Sequence, residues 1–73
     1  MTRDEHLKWC KQRANEYAER RDYANAVTSM LSDLRKHPET AQVGENPALV
    51  MLGIMAVANG DPREVCRFIS GFN

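Results

Sequence analysis

NPALVMLGIMAVANG, residues 46–60, is the stretch whose reading decides the fold. Asn46 is a good helix N-cap, and Pro47 falls in the first turn, where a missing N–H costs nothing. Gly60 suits the left-handed residue that ends many helices. Between them Leu49, Val50, Met51, Leu52, Ile54, Met55 and Val57 are separated only by Gly53 and Ala56, with Ala48 and Ala58 at the two ends. No charge interrupts the run. A helix that is apolar on every side has to be covered on every side, by its own chain or by another. We therefore expect a buried central helix wrapped by the rest of the chain.

Downstream, DPRE at 61–64 is a second start signal. Asp61 is the N-cap, Pro62 takes the first helical position and Glu64 is placed to close a capping box. Val65, Phe68, Ile69 and Phe72 then line one face, and Gly71 ends the helix. Upstream, PETAQVGEN at 38–46 reads as the longest loop. Before it, Tyr23, Ala26, Val27, Met30, Leu31 and Leu34 form an apolar stripe at helical spacing. Asp22 is its N-cap, and Arg35, Lys36 and His37 place positive charge at its C-terminal end, ahead of the stop at Pro38. A first helix over about residues 4–20 starts at Asp4 and carries Leu7, Cys10, Ala14, Tyr17 and Ala18 on one stripe. The turn between these two helices is short enough to force an antiparallel hairpin. No segment has the period of two that strands need. The expected fold class is all-α: one four-helix domain over 1–73, with an N-terminal hairpin, a buried third helix and a short capped fourth.

Seventy-three residues bury only ~60 % of the surface of the unfolded chain, so a single core is marginal without a staple or a second subunit. A homo-oligomer is expected, with Met51, Ile54, Met55 and Phe72 as its interface. The chain carries ten Lys/Arg and ten Asp/Glu, and this zero net charge argues against binding driven by electrostatics to nucleic acid or a membrane. A DNA-binding regulator is further disfavoured by the lack of a basic helix face. The apolar run falls short of the ~20 residues that span a bilayer. MTRDEHLKW at the start lacks the apolar centre of an export signal. Cys10 and Cys66, far apart in such a chain, read as reduced, buried thiols in a cytoplasm.

His6 and Cys10, at i and i+4, share a helix face, and His37 and Cys66 can complete four ligands. Paired metal spacings are absent, so core thiols are the simpler account and no metal or other cofactor is expected. No nucleophile comes with a base and an orienting group, and no glycine-rich phosphate loop is present, so we expect a protein that is not an enzyme. Trp9 lies about 100° around the helix from Cys10. It reads either as a ring at the edge of the core or as an anchor for a partner. Arg35, Lys36 and His37 can grip a phosphate or an acidic partner. Arg67 and Phe68 can join them with the guanidinium and aromatic face used for nucleotides. Compensation of the helix dipole is the plainer account of the three cations.

Two resemblances add to this. Ala14, Tyr17, Asp22-Tyr23, Ala26 and Pro38 fall at spacings that resemble one tetratricopeptide hairpin, although Arg21 stands where that repeat prefers Gly and Asp33 where it prefers Ala. No second copy follows, so the groove of a solenoid is not implied. HLKWCKQRANEY (6–17), SMLSDLRKHPET (29–40) and RFISGFN (67–73) are similar to a family of roughly 70-residue proteins encoded by bacteriophages, without a settled activity. That resemblance implies an accessory protein of the bacterial host cytoplasm that binds and modulates a host or defence protein. Sequestration of a small nucleotide signal is the alternative.

Overall fold

A computed structural model describes residues 2–72, and it is all-helical, with no strand among the described residues. Five helices follow one another: α1 Arg3–Glu19, α2 Tyr23–Leu34, α3 Ala41–Glu45, α4 Pro47–Asn59 and α5 Pro62–Ser70. The four longer ones are those expected. The fifth, α3, is a single short turn of helix in the stretch expected to be loop.

Local chemistry sets most of the boundaries. Thr2, not Asp4, caps α1: its hydroxyl accepts the Glu5 N–H at 3.2 Å and the Glu5 carboxylate accepts the Thr2 N–H at 3.1 Å. Thr2-Lys/Arg-acid-Glu spacing of this kind is a full capping box, and its hydrogen bonds hold the Glu5 carboxyl below its ordinary range. Asn46 accepts the Ala48 N–H at 2.9 Å, Asp61 accepts the Arg63 N–H at 2.9 Å, and Gly60 has the left-handed φ of 66°. Glu64 does not close a box on Asp61. Its carboxylate accepts instead from the Asn59 amide at 2.9 Å, tying the end of α4 to the start of α5. Asp22 stands at the N-cap of α2 but accepts from the Asn25 side chain at 2.7 Å rather than from a backbone N–H.

The α1–α2 turn contains the one strained non-glycine residue described. Asp22 N–H bonds the Tyr17 carbonyl at 3.0 Å and Arg21 N–H bonds the Ala18 carbonyl at 2.9 Å, with Arg21 at φ 62°. This is a Schellman end, and Arg21 occupies the position that normally holds glycine.

Packing corrects the place expected for the apolar helix. The helix that meets all the others is α2, through Ala26, Val27, Met30, Leu31 and Leu34, all buried. α4 lies outside it, against α2, α3 and α5, and does not meet α1. Only Gly53 and Ala56 of α4 are buried, while Met51, Leu52, Ile54 and Met55 are 56, 55, 54 and 52 % exposed. The Cα positions extend over 32 × 24 × 16 Å, and packed helix axes lie about 8–10 Å apart, so the shortest dimension holds two layers of helices. So thin a body has no room to surround a second helix once α2 is covered.

On α4 the two fully buried positions are small, Leu49, Val50 and Val57 pack partly against the core, and Met51, Leu52, Ile54 and Met55 face outward. A Cβ built on Gly53 would lie 2.7 Å from Val27 Cγ1 and 3.0 Å from Phe68 Cζ, so glycine lets α4 settle onto α2 and α5. Phe72 also departs from expectation: it is buried, with its ring edge-on to Phe68 at 5.1 Å, and closes the core rather than facing a second subunit. Among the described residues no helix is long and apolar enough to cross a membrane.

Two substitutions test this packing. Arg21→Gly removes the left-handed penalty and is expected to raise stability by about 0.5–1 kcal/mol in urea unfolding. Gly53→Val, whose bulk against Val27 outweighs a gain in helix propensity of roughly a few tenths of a kcal/mol, is expected to lower it by about 2 kcal/mol.

Candidate functional site

Where α1 passes the C-terminal end of α2, the chain gathers its most unusual side chains. Asp33 is central. It lies on the buried face of α2, one turn after Met30, and its side chain is 2 % exposed. Lys36 Nζ stands 3.1 Å from one carboxylate oxygen, and Arg13 Nε stands 2.8 Å from the other. The Ser29 hydroxyl donates to that second oxygen at 3.3 Å. The Arg13 N–H is not aimed along its 2.8 Å line, so this contact is an ion pair without a well-formed hydrogen bond.

The two cations held by Asp33 also lie against the ring of Trp9. Arg13 Cζ is 4.9 Å and Lys36 Nζ 5.6 Å from the ring centroid, distances at which a cation is attracted to the π-face. His6 comes next, its ring centroid 5.5 Å from that of Trp9 and 5.1 Å from that of His37. The four side chains His6, Trp9, Lys36 and His37 line an open concavity of about 280 Å³.

Backbone partners fix both imidazoles. His6 is buried, and its Nε2 lies 2.8 Å from the Asp33 carbonyl, which can only accept, so Nε2 carries a proton. His37 Nδ1 accepts the Glu39 N–H at 3.1 Å, which leaves a ring proton to Nε2. The end of α2 is closed by the buried Thr40, whose hydroxyl donates to the Leu34 carbonyl at 2.6 Å.

Cys10 Sγ is 3.4 Å from His6 Nε2. That nitrogen already donates to a carbonyl, so it is not free to take the thiol proton. Burial, reinforced by the Asp33 carboxylate, pushes the Cys10 thiol up to about 11. Thiolate chemistry at neutral pH is therefore not what this pair is built for. Cys66, expected to be a core thiol, is exposed on α5 because it falls outside the Val65–Ile69 stripe. Among the described residues no group of three or more His, Cys, Asp or Glu side chains is placed to hold a metal ion.

The residues singled out from the sequence divide into two places. Trp9, Lys36 and His37 come together at the Asp33 corner. Arg67 and Phe68 lie elsewhere, lining a concavity of about 420 Å³ between α4 and α5 with Leu52 and Met55. Arg35 turns toward α3, where its Nε donates to the Gly44 carbonyl at 3.3 Å. Sequence reasoning named Asp33 only as a departure from the tetratricopeptide pattern and passed over Arg13. Asp33 did leave a signal, since Ala26, Met30 and Asp33 are spaced i, i+4 and i+7 and so put a carboxylate on an apolar stripe. Comparison of the chain with protein-family models, curated proteins and solved structures finds no match.

Asp33→Asn keeps the shape of the side chain and removes its charge. Both cations retain solvent, so the expected loss is about 1–2 kcal/mol, seen as a fall in melting temperature of roughly 4–15 °C. The raised Cys10 thiol gives a second expectation. Above 9.0 the unfolded thiol ionises while the folded one does not, so stability is lost as pH rises from there toward about 11. A Cys10→Ala variant should show a flatter stability profile over that window, and in the native protein a thiol reagent should modify Cys66 well before Cys10.

Proposed function

We propose that this chain is a non-enzymatic accessory protein, of the phage type its sequence resembles, that binds and inhibits a bacterial host or defence protein in the cytoplasm and works as a homo-oligomer. The observation that carries this reading is the corner around Trp9. A half-buried indole with cations against its face is the kind of anchor that dominates protein interfaces, because one ring offers large apolar area and little conformational entropy to lose. Trp9 is held in place by Arg13 and Lys36, which are themselves fixed by Asp33. A partner presenting carboxylates around an apolar centre fits this surface, with Lys36 and His37 on its rim.

A second reading, sequestration of a small nucleotide signal, is favoured by the same cations beside an aromatic ring, a pairing that suits a phosphate next to a base. In that case Trp9, Lys36, His37 and Arg13 do the binding within one subunit. Arg35, Arg67 and Phe68 line other parts of it. The zero net charge supports neither DNA nor a membrane as the partner.

Native mass spectrometry of the protein purified from bacteria separates the readings. The expected result is added mass of a single host polypeptide that Trp9→Ala abolishes. Added mass of a few hundred daltons, lost in Lys36→Ala, would replace the protein partner with a nucleotide. Protein that stays free of any added mass, even when a bacterial extract is supplied in excess, would overturn both.

A further inference from the structure

We infer that the α4–α5 face is a self-complementary contact that joins two copies of this chain about a two-fold axis. The inference rests on the homo-oligomer of the reading above and assigns it a surface; it does not depend on what binds at the Trp9 corner.

A two-fold contact uses the same patch twice, so the patch has to offer both a projection and a recess, and both signs of charge. This one does. Met51, Ile54 and Met55 project from α4, each more than half exposed. Next to Met51 and Ile54 runs the 420 Å³ concavity lined by Leu52, Met55, Ala56 and Phe68, with room for side chains of that size. On its wall stand Glu64 and Arg67, one turn apart on α5. Arg67 makes no ion pair among the described residues, and Glu64 is bonded only to the Asn59 amide. An antiparallel approach of two α4 helices seats the projecting side chains of one protomer in the recess of its partner. The same approach sets Glu64 of one copy opposite Arg67 of the other, twice.

Charge favours a second copy over a strongly charged protein. The exposed aliphatic side chains of α4 offer roughly 400 Å² of apolar surface, the range of monomer patches that prove functional and about half of the ~800 Å² each side of a stable interface supplies. A partner strongly charged in either sense would leave Glu64 or Arg67 facing its like, whereas an identical chain satisfies both.

The full chain should sediment at twice its 8.3 kDa mass, or at an even multiple of it, at micromolar concentration. Ile54→Asp and, independently, Met51→Lys change exposed side chains and should give folded monomers, with the helical circular dichroism of the parent. Arg67→Glu should weaken the assembly about tenfold, and the same change combined with Glu64→Arg in one chain should recover it, because reversal of both charges preserves the pairing. A wild-type chain that sediments as a monomer would overturn the inference. So would retention of the full assembly in both Ile54→Asp and Met51→Lys. Trp9→Ala should keep the wild-type mass; loss of assembly there would move the contact to the Trp9 corner and overturn the present assignment, while loss of partner binding alone leaves it intact.

Discussion

Every other helix of this molecule is held against α2, and the packing of that one helix is what the remaining structure depends on. Half of its twelve residues are buried, and Ala26, Met30 and Leu34 are fully so. In a chain this short the hydrophobic term barely exceeds the conformational entropy lost on folding, so the stripe on α2 has to serve several neighbours at once. Its one charged member, Asp33, sits at the end where α1 also arrives. The carboxylate cannot stay buried alone, and Arg13 from α1 and Lys36 from beyond α2 neutralise it. The register of the hairpin is thereby tied to a charge pairing as well as to apolar contact.

That pairing has a second consequence, at the surface. Two cations drawn toward Asp33 are also drawn across the face of Trp9, and His6 fills the gap between Trp9 and His37. A buried structural requirement thus places an ordered set of cationic and aromatic groups at the edge of the fold. The neighbouring thiol is kept protonated by the same burial and the same carboxylate.

α4 is apolar on both of its faces. Gly53 and Ala56, with Leu49, Val50 and Val57 beside them, pack on the core, and Met51, Leu52, Ile54 and Met55 face out. Close approach explains the inner face, because Gly53 brings the backbone of α4 against Val27 and Phe68. It does not explain four large apolar side chains left half in water, which in a domain of marginal stability is a cost that a covering surface removes.

The sequence alone determined where helices begin and end wherever a cap or a special backbone angle was involved: Asn46 and Pro47, Gly60, Asp61 and Pro62 all act as their residue types dictate. The Thr2–Glu5 capping box follows the same local chemistry, with Thr2 rather than Asp4 as the cap. The tetratricopeptide-like spacing of the hairpin pointed to two positions that matter. Arg21 replaces the preferred glycine at a left-handed φ, and Asp33 replaces the preferred alanine as a buried charge. Only the tertiary structure decided that α2 rather than α4 is enclosed, that Phe72 is core, that Cys66 is exposed, and that Trp9 meets Lys36 and His37 while Arg67 and Phe68 stand elsewhere. The reason is physical. A cap or a turn is settled by hydrogen bonds and torsions among a few consecutive residues. Whether an apolar face is covered depends on how many neighbours a chain can bring to it, and a body two helix layers deep brings enough for one helix.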